Sequence, residues 1–95
     1  EATGRYGGLE SNLPKSIQVQ VRKVEEIISS ILEKMGHIDI LKIDVEGLET
    51  AILKSMSPEN LKNINNIYAE TIYSECLPGF DKEQYGEVVR FRKIL

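Results

Sequence analysis

An α/β domain built on a parallel sheet is the fold that this chain of 95 residues predicts. Two observations carry the expectation. Apolar residues alternate in short runs and recur at helical spacing between them, in the order strand, helix, strand, helix, strand, helix. Alternation of that kind calls for right-handed crossovers and parallel strands. In addition, residues 38–45 are apolar on both faces, with Ile38 and Ile40 on one and Leu41, Ile43 and Val45 on the other. That pattern belongs to an inner strand covered by helices on each side.

Residues 1–16 contain Gly and Ser, show little apolar period and are punctuated by Pro14, so they read as loop. Residues 17–22 alternate, with Ile17, Val19 and Val21 against Gln18, Gln20 and Arg22, and predict a strand buried on one face. Val24, Ile27, Ile28, Ile31, Leu32 and Met35 then fall at helical spacing, and Gly36 stands where a left-handed C-terminal cap is expected. After residues 38–45, a second helix carries Leu48, Ala51, Ile52 and Met56 on one face and stops at Ser57-Pro58. Asn65-Asn66 opens a third strand over residues 67–73. Beyond the Pro78-Gly79 turn, Asp81 is expected to cap a last helix through residue 93, with Tyr85, Val88, Val89 and Arg92 on one face.

Composition narrows the function classes. The chain is 41% hydrophobic and 28% charged, an ordinary globular balance. A formal net charge of −3, with basic and acidic residues interleaved, argues against a nucleic-acid partner, since phosphate binding leaves a basic stripe. The single cysteine, Cys76, has no partner for an internal disulfide, so a reducing, cytoplasmic location is expected. No apolar run is long enough to span a membrane, and no signal-peptide pattern opens the chain. Its start at Glu1 rather than Met is what an excised or processed segment is expected to show.

The chemistry concentrates in Lys42-Ile43-Asp44-Val45-Glu46-Gly47-Leu48-Glu49. In open α/β sheets, ligands gather at the carboxyl ends of the strands. Residues two apart on a strand share a face, ~6.6 Å apart, which places Lys42, Asp44 and Glu46 together. An unpaired buried ammonium is costly, so a Lys42–Asp44 structural pair is one reading. The other makes the acids a substrate-facing group able to hold or deprotonate a hydroxyl; the first is favoured for Lys42, the second for Asp44 and Glu46. Gly47 permits a sharp turn and close approach of a ligand, or simply starts the helix. Glu49 lies in the first helical turn, where the helix dipole favours a carboxylate, and is either a binding group or a residue of a solvated face. Glu70 interrupts the next strand, ~4.8 Å to the side, where it can approach Asp44 or Lys42. Three such carboxylates are oxygen ligands of the kind divalent cations take, but no histidine joins them and no metal is assigned. His37 reads as a turn residue, Cys76 lacks a basic neighbour to activate it, and Arg90, Arg92 and Lys93 read as favourable charge near a helix C-terminus.

The segment Ile40-Leu41-Lys42-Ile43-Asp44-Val45-Glu46-Gly47, followed by Glu49, closely resembles the signature of FkbM-type methyltransferases. The resemblance extends over about residues 17–73, with Glu70 matching the family's next strand, which ends in glutamate. Where the family opens a helix with a Thr-Leu-Asp-like segment, this chain has Lys23-Val24-Glu25, which keeps the acid and lacks the threonine. The resemblance implies a Rossmann-like domain and transfer of a methyl group from S-adenosylmethionine to a hydroxyl of a sugar or secondary metabolite. On that reading Asp44, Glu46, Lys42 and Glu70 are the catalytic candidates, and Glu49 and Gly47 border the substrate. The family's glycine-rich cofactor turn has no counterpart here, because Gly4 and Gly7-Gly8 follow no apolar strand. The chain is therefore expected to be the C-terminal part of the domain, inactive alone, and prone to self-associate through an exposed sheet edge. Two rival readings stand beside it: a non-catalytic binding or scaffold fragment, and a receiver-like phosphoacceptor domain with Asp44 ending its central strand.

Overall fold

The structure, a computed structural model, describes residues 14–94. The loop expected over residues 1–16 therefore lies largely outside the described residues. Helix α1 spans Lys15–Met35. Ile17, Val21, Val24, Ile28 and Leu32 recur at steps of four and three residues, and this stripe faces the core: Val21, Ile28 and Leu32 are buried, with Ile17 and Val24 packed beside them. Gly36 closes the helix with φ +84°, its N–H donating to the Leu32 carbonyl at 2.8 Å.

The helix overturns the strand expected over residues 17–22. Helical spacing links Ile17 and Val21 to Val24 and leaves Val19 49% exposed; as a strand, the segment would bury Val19 on the same face as its two neighbours. Lys23-Val24-Glu25 accordingly lies inside α1 and not at a helix start.

Strand β1 covers Ile38–Ile43, two residues shorter than expected. Helix α2, Glu49–Ser55, buries Ile52 and Leu53, with Leu48 and Met56 at its flanks. Ser57 does more than end this run. Its hydroxyl accepts from the Asn60 N–H and opens a one-turn helix α3, Pro58–Leu61, with proline at the first helical position. Strand β2 spans Ile64–Ala69 and stops before the acid that the sequence placed within it.

The last helix expected over residues 81–93 is instead a hairpin of β3, Phe80–Tyr85, and β4, Val88–Lys93. Tyr85 pairs with Val88 across the two-residue loop Gly86-Glu87, and Gly86 takes φ +60°, which suits a primed hairpin turn. Val89 and Phe91 are fully buried, while Arg90 and Arg92, which alternate with them, point to the other face.

The sheet order is β1-β2-β4-β3. Only β1 and β2 run parallel; β4 is antiparallel to both of its neighbours, so the sheet is mixed and the wholly parallel sheet is corrected. Among the described residues β1 is an edge strand with Ile40 64% exposed, not an inner strand covered on both faces. The core lies between the helices and one sheet face, where Ile43, Ile67, Ala69, Val89 and Phe91 meet Val21, Ile28, Ile52 and Leu53.

Candidate functional site

Because β1 and β2 are parallel, their carboxyl ends lie at the same end of the sheet. Ile43 pairs with Ala69, so Asp44 and Glu70 are the next residue on each of two neighbouring strands. Both are exposed. Glu46 is exposed one step further, in a turn closed by the Leu48 N–H donating to the Val45 carbonyl at 2.9 Å. Gly47 holds that turn with φ +84°, a conformation that side chains strain, although a Cβ there would meet no atom within 4 Å. Its role is thus conformational. Glu49 follows in the first turn of α2 and is only 7% exposed, not on a solvated face.

Lys42 departs from the expected structural pair. It lies on the open face of an edge strand, exposed, and makes no ion pair with Asp44 among the described residues. Strand register sets it in a row that crosses the whole sheet: Lys42 beside Tyr68, Tyr68 beside Arg90, Arg90 beside Glu83. The Arg90 guanidinium carbon stands 5.9 Å from the Tyr68 ring centroid, and its Nη1 reaches Glu83 Oε1 at 3.4 Å. Arg90 Nε is buried without an acceptor. Lys42, Tyr68, Ala69, Glu70 and Val88 line a shallow depression of about 200 Å³. The structure therefore brings Lys42 and Glu70 to one depression, with Asp44 and Glu46 on the adjoining loop and Glu49 behind them.

Tyr68 and Arg90 were missed in the sequence because the first sat in an apolar run and the second in a presumed helix. The alternation of Val89 and Phe91 with two arginines, after Gly86-Glu87, was the available signal. Two further contacts fix this end of the sheet. Thr50 Oγ1 lies 3.1 Å from Thr71 Oγ1, and Lys54 Nζ lies 3.5 Å from Glu75. Residues 70–79 are pinned from the other side. The Tyr73 N–H donates to Gln84 Oε1, Lys82 Nζ donates to the Tyr73 carbonyl, and Tyr73 packs edge-on against Phe91 at 5.7 Å. Two residues along β3 from Glu83 stands Tyr85, whose phenol pKa is raised from 10.0, chiefly by its hydrogen bond to Glu83.

Elsewhere, His37 is exposed and 3.5 Å from the Asp39 carboxylate, and Cys76 is an exposed free thiol. The basic residues of β4 do not end a helix as expected; they are strand residues. Among the described residues, no group of three or more His, Cys, Asp or Glu side chains is placed to hold a metal ion, and no helix is long and apolar enough to cross a membrane.

In an open α/β sheet ligands gather at the carboxyl ends of the strands, and here the ends of the parallel pair carry acids and a lysine. The particular family follows from comparison: the model for the methyltransferase FkbM domain matches residues 2–93, and the chain belongs to that family. Its signature occupies the end of β1 and the Gly47 turn. No curated protein and no solved structure gives a significant match. Membership makes this a methyltransferase-type domain and implies a methyl-donor cofactor.

Proposed function

We propose that this chain is the acceptor-side, C-terminal part of a methyltransferase domain that moves a methyl group from S-adenosylmethionine to a hydroxyl of a small molecule such as a sugar. The observation that carries the reading is the side-by-side departure of Asp44 and Glu70 from a parallel pair within a matched family signature. The depression beside them, about 200 Å³, is smaller than the ~300 Å³ at which small-molecule pockets usually begin. That depression is therefore not assigned to the nucleoside-bearing donor, and on this reading the donor's binding falls to the cofactor half of the domain. The donor would supply an electrophilic methyl group; this chain's own residues would act on the acceptor.

In that role Asp44 or Glu46 takes the proton of the acceptor hydroxyl, with Glu70 orienting the same group. Lys42, free of an ion pair, donates to the acceptor oxygen and steadies the negative charge that develops there. The Gly47 turn and Glu49 shape the wall against which the acceptor rests. The free edge of β1 is where the remaining strands of the domain would pair.

The test uses the protein that contains this domain, incubated with methyl-labelled S-adenosylmethionine and a panel of sugars and alcohols, with formation of S-adenosylhomocysteine as readout. Asp44→Asn and Glu46→Gln should each lower turnover on the order of 10²-fold, and Lys42→Met about tenfold or more. All three side chains are exposed, so the melting temperature should stay within a degree or two. Near-normal rates accompanied by a melting temperature several degrees lower would make the acids structural and remove the assignment.

A further inference from the structure

A groove of about 440 Å³ lies away from the carboxyl ends of β1 and β2. It sits at the opposite end of the sheet, where α3, the Pro78-Gly79 turn and the end of β4 meet. Pro58, Leu61, Pro78, Phe80 and Ile94 supply apolar walls. Among the described residues that line it, the charged ones are Lys62 and Lys93, and none is an acid. Neither lysine forms an ion pair with a described residue.

Lys93 is held in place. Its Nζ donates to the Leu61 carbonyl at 2.9 Å and to the Lys62 carbonyl, and it stands 5.5 Å from the Phe80 ring centroid. An ammonium has three donors, and these carbonyls occupy two. The third makes no hydrogen bond to a described residue, and desolvation lowers the pKa of this amine from 10.5. A mostly apolar groove with a few convergent polar groups is the usual form of a small-molecule site, and its volume falls in the range of ~300–1,000 Å³ that such sites span.

We propose that this groove binds a small amphipathic carboxylate, its chain against Pro58, Leu61, Pro78 and Phe80 and its carboxylate between Lys93 and Lys62. The charge of the lining chooses the head group: a cation would meet two ammonium groups, and a neutral head would leave them without a counter-ion. The site is independent of the methyl-transfer reading, since it shares no residue with the acids and Lys42.

The experiment is titration of the full, isotope-labelled chain with octanoate and, separately, with 1-octanol, followed by NMR and calorimetry. Octanoate should bind saturably, shift the amides of Leu61, Phe80 and Ile94 and bind at least tenfold more tightly than octanol. Lys93→Met should weaken octanoate binding at least tenfold. Because that change also removes two carbonyl partners, Lys62→Glu, on an exposed side chain, serves as the second variant and should weaken binding with an unchanged fold. Equal affinity for the acid and the alcohol, no saturable shift at these amides into the millimolar range, or unchanged affinity in folded Lys62→Glu would each overturn the proposal.

Discussion

Thr50 and Thr71 share a hydrogen bond at 3.1 Å that joins the first turn of α2 to the chain leaving β2. These two positions are 21 residues apart, and each flanks acids of the candidate site, Glu49 on one side and Glu70 on the other. The bond therefore ties together the two segments that carry Glu49 and Glu70. Thr50→Val and Thr71→Val should each destabilise the domain by about 1 kcal/mol, the net worth of a typical hydrogen bond. The double variant should cost little more than either single one. Urea unfolding in a double-mutant cycle measures this, and fully additive losses would mean that the two hydroxyls act separately.

Gly47 makes a sharper demand. With φ +84° and open space around it, its requirement is purely one of backbone conformation. Gly47→Ala should cost about 1 to 2 kcal/mol, the penalty for an L-residue in left-handed geometry. Gly47→Asn should recover part of that, since asparagine tolerates this region. Equal stability of all three proteins in thermal melts would show that the turn relaxes to another shape.

Both features bear on what the sequence alone conveyed. The signature at β1 and its turn was legible because its chemistry is local: an apolar strand, two acids and a glycine in consecutive positions. The second half of α1 was legible from Leu32, Gly36 and the apolar spacing between. Residues 17–22 misled because Ile17 and Val21 satisfy a period of two and a step of four at once, and only the exposure of Val19 separates the readings. Residues 81–93 misled in the opposite sense. Their apolar positions fit a helical face, and Gly86 at the hairpin turn is the local mark of the strands on either side. The row from Lys42 to Glu83 was beyond reach, because it depends on β4 lying between β2 and β3, and strand order is not written in local periodicity.

Tyr85 offers a titration test of that row. Its phenol pKa is raised from 10.0 first by the hydrogen bond to Glu83, then by desolvation and the Glu83 charge, while Arg90 lowers it. The neutral phenol is thus the form the fold favours. Its stabilising contribution is present below pH 10.0 and is lost as pH rises through the higher folded value. Ultraviolet difference titration against Tyr85→Phe should place the midpoint above 10.0. Glu83→Gln should bring it down toward the ordinary value, and Arg90→Met should move it further up; movement in the opposite directions would mean that Glu83 and Arg90 are not its neighbours.

The β1 edge gives the fourth expectation. An edge that no described strand pairs, with Ile40 exposed, is a template for another strand. Since residues 17–22 belong to α1, they are not free to cover it. Light scattering after size-exclusion chromatography should therefore show concentration-dependent dimers of the chain, and Ile40→Lys should reduce them. A monomer at every concentration would mean that the edge is already protected.

The strand order also says something about how such a chain is made. β4, the latest strand in sequence, lies inside the sheet, and β2 and β3 touch only through it. While the protein emerges from the ribosome, the first three strands have no route to a common sheet until residues 88–93 have been synthesised. A frameshift or premature stop just after Gly86 would therefore not trim a dispensable border. It would remove the keystone and leave β3 with no strand to join, a product fit for proteolysis and not a slightly smaller domain.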